Sequence, residues 1–305
     1  MTTAWVAGSV RAAAMARRRY GAAAARSLAT TPTLDEALEK LAATAYGHDV
    51  GPDQTLDEAQ RSVAATVLWH FRVLAGWSPW EGTQVLRVLA AGFEIANVDE
   101  LVRSLRDGPS APPYRLGALS TCWPHLETAV SIAQLRTRLA ASPWGDPGHD
   151  SAWAIATTMR LAWARRSAGQ VPDAWRLGGA ALLVARERFA GGRQLVGTSA
   201  DLARVLVGEA AIAATSLKEL AGVLPKEAAW PLEGVSESSD LWHAEAVWWR
   251  RVEHDGFRLL RSGGFGSERL VGAAAVLAVD AWRVRAALEV AARGGAGLEV
   301  FDALA

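Results

Sequence analysis

The chain has a single cysteine, Cys122, among its 305 residues. One thiol cannot build a disulfide framework or a multi-cysteine metal site within the chain, and this favours a reducing, intracellular compartment. His125 follows closely, so a Cys-His nucleophile is one interpretation of this segment. A lone cysteine is more often a small buried apolar residue, and we expect burial here.

An excess of one charge and a long uncharged apolar run are both missing. The 32 basic side chains balance the 32 acidic ones, and half of the residues are hydrophobic. This composition is typical of a folded globular protein and does not indicate a nucleic-acid partner. A bilayer-spanning helix needs about 18 or more apolar residues. The most apolar stretches are interrupted by charges, such as Asp280 within 271–282, and we predict no transmembrane span.

The first 34 residues carry five arginines and no acidic residue. Because the arginines follow the apolar stretch and no cleavage site is evident, we predict no signal peptide. An amphipathic transit peptide is the alternative. The run 17–19 is typical of a solvated helix end, and contact with anionic lipid headgroups is its other interpretation.

Hydrophobic periodicity indicates helices along most of the chain. Between residues 56 and 76, apolar side chains recur at every third or fourth position. They are Ala59, Val63, Val67, Phe71 and Leu74. Similar spacing runs through 152–167, 242–262 and 268–292, and no stretch shows sustained two-residue alternation. The sequence therefore predicts an all-α fold.

One helical segment recurs along the chain. Residues 41–47 (LAATAYG) align with residues 139–145 (LAASPWG), and a fainter third copy starts at Ser216. Each copy opens with a hydroxyl residue three positions before an acidic or amide residue, which predicts a capping box. These pairs are Thr33 with Glu36, Ser131 with Gln134, and Ser216 with Glu219. We predict three pseudo-repeated helical lobes, at residues 1–110, 111–200 and 201–305.

The motifs that would carry chemistry are incomplete. His243-Ala244-Glu245 matches half of a zinc deaminase signature, and the single cysteine cannot supply the other half. The glycine-rich run 263–267 lacks the Gly-Lys-Ser/Thr ending of a phosphate-binding loop. Trp242 and Trp249 are one heptad apart, which favours packing over a base-stacking strip. We predict no catalytic, cofactor-binding or metal site and no nucleic-acid partner.

The first hundred residues resemble one protein family, beginning with the first helix. Trp5, Arg11 and Met15 are similar to the aromatic, arginine and methionine near the start of the V-type and A-type ATPase subunit called C in prokaryotes and d in eukaryotes. Tryptophan stands here where the family usually has tyrosine. The chain also holds 14 tryptophans, an unusual number for that family.

Two further stretches carry the resemblance. Leu41, Thr44 and Tyr46 resemble the "L-x-x-T-x-Y" end of the family's first repeat helix. The segment 93–98 resembles the acidic-Ile-x-Asn-Ile stretch that closes its first lobe. The matching positions there are Phe93, Glu94 and Asn97, with Arg103 following.

The resemblance implies an all-α body of three similar lobes arranged as a funnel. It implies a subunit without catalytic activity or cofactor, located on the cytoplasmic face of the membrane as a peripheral part of a rotary ATPase. Its partners would be the membrane proteolipid ring and the central-stalk subunits, so that ATP hydrolysis is coupled to proton or sodium transport. The alternative is a stand-alone all-α repeat scaffold that binds protein partners.

Overall fold

Helices form all the regular secondary structure of the computed structural model, which describes residues 3–304. No strand occurs within that range, which confirms the all-α prediction. The chain divides into two compact units. Unit 1 takes in Met1–Leu86 and Trp249–Ala305, and unit 2 takes in Arg87–Trp248.

The α-helices, in chain order, are α1 (Thr3–Arg17), α2 (Ala22–Ala29), α3 (Leu34–Ala42), α4 (Leu56–Gly76), α5 (Trp80–Asp107), α6 (Trp123–Leu126), α7 (Ile132–Ala140), α8 (Ala152–Arg166), α9 (Asp173–Ala185), α10 (Thr198–Val207), α11 (Glu209–Ala213), α12 (Leu217–Val223), α13 (Lys226–Ala229), α14 (Leu241–Leu260), α15 (Ser267–Ala292) and α16 (Leu298–Leu304). Short 3-10 turns lie at Ala45–His48, Gly117–Leu119, Trp230–Leu232 and Ser238–Asp240, and a π-helical turn lies at Arg186–Ala190. The four periodic stretches of the sequence coincide with α4, α8, α14 and α15, to within about two residues at each end.

Helix α15 forms the centre of unit 1, where it packs against α1, α2, α3, α4 and α16. It comes very close to α14 at a pair of glycines. A Cβ atom added to Gly272 would lie 2.6 Å from the carbonyl oxygen of Gly256, so alanine at position 272 would force the two helices apart. Although α15 is strongly apolar, no helix within residues 3–304 is both long and apolar enough to cross a bilayer.

Unit 2 is built around α8, α9 and α10, which pack on one another. Ile155 and Leu161 of α8 and Val184 of α9 are fully buried between them. The indole N–H of Trp163 donates to the carbonyl oxygen of Val88 at 2.8 Å, which ties α8 to α5. An indole suits this position because its ring fills apolar space while its single N–H finds a partner.

The hydroxyl half of each predicted capping box is confirmed. Thr33, Ser131 and Ser216 each accept a hydrogen bond from the backbone N–H three residues further on, at 3.3, 3.2 and 3.1 Å. All three caps have extended backbone angles, with φ between −136° and −153° and ψ near 159°. The same local device therefore starts α3, α7 and α12.

The return bond of the box is displaced by one residue in two copies. The side chain of Gln134 accepts from the backbone N–H of Val130 at 2.8 Å, and that of Glu219 accepts from Thr215 at 2.7 Å. Each side chain accepts its hydrogen bond from the backbone N–H of the residue before the cap, and not from that of the cap residue itself. A complete capping box, outside the repeat, begins α4.

The three lobes at 1–110, 111–200 and 201–305 stay a prediction. The boundaries between the two units lie within α5 and within α14, and they reflect how the helices pack. Internal repetition is a different property, and it is visible here in the matched starts of α3, α7 and α12.

Substitution of a cap hydroxyl tests whether these bonds stabilise the fold. We expect Ser131→Ala and Ser216→Ala each to lower the free energy of unfolding by about 1 kcal/mol, because a helix N-terminal N–H loses its partner. Chemical denaturation of the purified variants measures this. Ser236→Ala is the matched control, since Ser236 is exposed outside the helices. Equal stability of the cap variants and the control would contradict the assignment.

Candidate functional site

Glu94 lies on α5 within unit 2, and its side chain is completely buried. It accepts hydrogen bonds from the backbone N–H of Thr121 at 2.7 Å and of Cys122 at 3.0 Å. The hydroxyl of Ser120 donates at 3.0 Å, and the indole N–H of Trp144 donates at 2.8 Å. These donors offset the cost of taking a carboxylate out of water. We call this group the Glu94 cluster.

Phe93 and Asn97 extend the same helix face. Asn97 forms a double hydrogen bond with the backbone of Tyr114, accepting from its N–H at 2.6 Å and donating to its carbonyl oxygen at 2.9 Å. The ring of Phe93 meets the ring of Tyr114 edge-on, with centroids 5.3 Å apart. The three motif residues of α5 therefore hold the segment 114–122, which has little regular structure of its own.

Asp280 is the corresponding carboxylate of unit 1, buried on α15. It accepts from the backbone N–H of Tyr20 at 2.9 Å and of Gly21 at 2.6 Å. The hydroxyl of Tyr46 donates to it at 2.9 Å. Burial, and then the charge of Asp280, raise the pKa of Tyr46 well above its ordinary value of 10.0. We call this group the Asp280 cluster.

The turns that present Tyr46 and Trp144 have matching hydrogen bonds. In the first copy, Thr44 donates its hydroxyl to the carbonyl of Leu41 at 2.6 Å and accepts from the N–H of Tyr46 at 3.2 Å. In the second copy, Ser142 does the same with Leu139 at 2.7 Å and with Trp144 at 3.1 Å. The aligned segments of the sequence therefore fold alike and deliver an aromatic N–H or O–H to a buried carboxylate.

The third copy ends differently. Ser216 caps α12, and Leu224, which follows Ser216 at the same distance as Leu41 follows Thr33, is buried. The next aromatic residue, Trp230, donates its indole N–H to the carbonyl oxygen of Ala174 at 3.3 Å. The repeat therefore extends to the third copy in its cap and leucine, with a backbone carbonyl in place of a carboxylate as the acceptor.

The motif residues of α1 lie elsewhere in unit 1, at the corner between α4 and α5. The ring of Trp5 packs near Gly82 of α5. The guanidinium of Arg11 lies over the ring of Trp77, 4.8 Å from its centroid. Met15 is half-buried one turn further along α1. These residues join α1 to its neighbours, and the structure places them in neither carboxylate cluster.

Arg103 is an exposed residue near the end of α5. Its guanidinium pairs with Glu100 at 2.7 Å, one turn earlier on the same helix. Ion pairs of this kind on a helix surface contribute only a few tenths of a kcal/mol. Arg103 therefore lies outside the hydrogen-bonded group formed by Phe93, Glu94 and Asn97.

Cys122 belongs to the Glu94 cluster, with its sulfur 3.4 Å from Glu94 Oε1. Burial, and then the charge of Glu94, raise the pKa of this thiol to about 12. An activated nucleophile needs the opposite shift, because the thiolate is the reactive form. The environment of Cys122 therefore favours an unreactive thiol.

The other incomplete motifs lie on α14 and on the turn that follows it. His243 is exposed, and Glu245 pairs with Arg186 at 3.1 Å. Trp249 stacks on Trp282 with ring centroids 5.6 Å apart. The run 263–267 connects α14 to α15. Within residues 3–304, no group of three or more His, Cys, Asp or Glu side chains is arranged to hold a metal ion.

Two cluster residues belong to no motif of the sequence. Asp280 interrupts an apolar stretch, and a lone acid inside such a helix is a signal of a buried, paired carboxylate. Trp144 aligns with Tyr46 in the repeat. The repeat therefore indicates the two donors, whereas their pairing with Glu94 and Asp280 is evident only from the fold.

Tyr46→Phe tests the Asp280 cluster without changing the ring that fills the core. We expect the free energy of unfolding to fall by about 2 kcal/mol near neutral pH, because a buried hydrogen bond to a charged acceptor is lost. The raised pKa of Tyr46 sets the sign of the pH dependence. The contribution of the Tyr46 hydroxyl to the free energy of unfolding is complete below pH 10.0 and is lost at higher pH. The difference in stability between wild type and variant therefore narrows at high pH.

Denaturation curves at several pH values measure both effects. Tyr20→Phe is the matched control, because Tyr20 contributes to the Asp280 cluster through its backbone N–H. A Tyr46→Phe variant as stable as this control at every pH would contradict the role given to the hydroxyl.

The raised pKa of Cys122 predicts slow modification of the folded protein. Near pH 8 we expect a thiol reagent to react roughly a thousandfold more slowly with the native chain than with the unfolded chain, since the thiolate fraction differs by about that factor. Because Cys122 is the only cysteine, the absorbance of the released reagent reports on it alone. Reaction of the native protein at the unfolded rate would overturn this assignment.

Comparison with known proteins does not supply a family for this chain. No protein-family model matches it, and no curated protein matches it with significance. What the chain does is therefore inferred from the residues and contacts described above.

Proposed function

We propose that this chain is a non-catalytic coupling subunit of a rotary ATPase of the V/A type. In this role it links the proteolipid ring of the membrane sector to the central stalk and so supports proton or sodium transport. The proposal includes three pseudo-repeated lobes and a peripheral position on the cytoplasmic face of the membrane. It includes no catalytic, cofactor-binding or metal residue.

The observation that carries the proposal is the joint placement of Phe93, Glu94 and Asn97. The sequence resemblance selects these three positions, and all three side chains contact the segment 114–122. Residues shared for a structural reason are expected to be buried and paired in this way. Leu41, Thr44 and Tyr46, which the resemblance also selects, form the turn that reaches Asp280.

A coupling role also demands a stiff body, because soft elements store torque instead of transmitting it. Close-packed interiors have low compressibility and transmit strain. In both units a buried carboxylate joins a long helix to two chain segments that are distant in sequence. Local deformation of either unit would expose or unpair that carboxylate, which makes deformation costly.

Co-purification tests the proposal. A tagged chain, expressed in its native host and extracted from membranes with mild detergent, is expected to bring a proteolipid and central-stalk subunits with it, identified by mass spectrometry. An unrelated tagged soluble protein, purified in parallel, is the control. Recovery only as a free monomer, from cells that make those subunits, would overturn the proposal and leave a stand-alone scaffold as the better description.

A further inference from the structure

Unit 1 exposes a group of large apolar side chains on and beside α1. Val10 is 57% exposed, and Trp77 and Trp80 are 50% and 72% exposed. Tryptophan is normally among the most buried residues on average, so two exposed tryptophans at one corner are unusual. We define the α1 patch as Val6, Val10, Arg11, Arg17, Trp77 and Trp80.

The α1 patch is held together by contacts between α1 and the α4–α5 corner. Arg11 lies over the Trp77 ring at 4.8 Å, and a Cβ atom on Gly8 would touch the hydroxyl oxygen of Ser78 at 2.8 Å. The exposed residues Val6, Val10, Ala14 and Arg17 recur at steps of three or four and share one face of α1, and Arg11 lies beside that face, over Trp77. The exposed surface of α1 is thus apolar in part and bordered by Trp77.

The charge of this surface is positive. Arg11, Arg17 and Arg18 are exposed, and no acidic residue precedes Asp35 in the chain. Glu81 is exposed at the same corner and offsets one of these charges. The three arginines have no ion-pair partner within residues 3–304, so their positive charge remains available to a ligand.

We infer that the α1 patch docks on the surface of an anionic phospholipid bilayer. Indole rings prefer the boundary between headgroups and acyl chains, where one edge is wet and the other apolar. Arginines pair with phosphate oxygens, and valines add apolar area at shallow depth. This inference does not depend on the proposed coupling role.

Vesicle sedimentation with the purified full-length chain tests the inference. We expect the wild type to sediment with vesicles of equimolar phosphatidylglycerol and phosphatidylcholine, and to bind phosphatidylcholine vesicles much more weakly. Raised salt should weaken binding, because screening reduces the attraction to the anionic surface. The measured quantity is the partition coefficient.

Two double variants divide the patch by chemistry. Trp77→Ala with Trp80→Ala is expected to lower the partition coefficient by about tenfold for each tryptophan, since each indole loses its apolar contact. Arg11→Gln with Arg17→Gln is expected to lower it by about fivefold for each arginine, and only on anionic vesicles. All four side chains are exposed, and their one contact with each other is the stacking of Arg11 on Trp77. The temperature of thermal unfolding should therefore remain close to that of the wild type.

The chain offers matched controls outside the patch. Val130 and Val205 are 80% and 72% exposed on unit 2, and Arg250 is exposed on α14. Val130→Ser with Val205→Ser, and separately Arg250→Gln, should leave the partition coefficient unchanged.

Three results would overturn the inference. They are wild-type protein that stays in the supernatant, patch variants that sediment like the wild type, and equal binding to neutral and anionic vesicles. A further outcome is that the wild type does not bind vesicles, whereas the patch variants no longer recover the proteolipid in the co-purification. In that case the patch contacts protein, and the lipid assignment is wrong. Failure of co-purification alone leaves the vesicle result as a separate test, so the two proposals fail independently.

Discussion

The structure depends above all on buried carboxylates that accept hydrogen bonds from the backbone of a distant segment. Glu94 and Asp280 each receive two backbone N–H groups and one aromatic donor. A carboxylate buried without such donors would cost several kcal/mol, and a broken set is penalised in the same way. The helix, the loop and the aromatic turn must therefore be in place together, which fixes their register.

The two units differ in how far apart in the sequence the buried carboxylate and its hydrogen-bond donors lie. In unit 2 the acid on α5 and the aromatic on its turn are 50 positions apart. In unit 1 the acid comes from α15, and its partners are 234 to 260 positions earlier in the chain. Unit 1 is made of two separate stretches of sequence, and the hydrogen bonds of Asp280 with Tyr20, Gly21 and Tyr46 are among the contacts that join them.

The local parts of this arrangement could be predicted from sequence, and the long-range parts could not. Periodicity located α4 and α15, and the hydroxyl before each repeat helix predicted its N-cap, because both signals act over a few residues. The aligned Tyr46 and Trp144 marked the donors of the two clusters. A lone acid inside an apolar helix indicates that Asp280 is buried and paired. Nothing in its spacing, however, relates it to a tyrosine more than two hundred positions away.

Asp280 also positions the chain directly after the exposed helix α1. The polar atoms of the two clusters are occupied by the chain's own backbone and aromatic donors. Helix α1 ends at Arg17, and Asp280 holds Tyr20 and Gly21 immediately after it. Near its middle, α1 is held by Arg11 on Trp77. The helix that carries exposed valines and arginines is thus held just after its C-terminal end by hydrogen bonds to a buried carboxylate and near its middle by a surface stack. A patch held in this way presents its tryptophans and arginines as one pre-arranged surface, which lowers the entropy lost on docking.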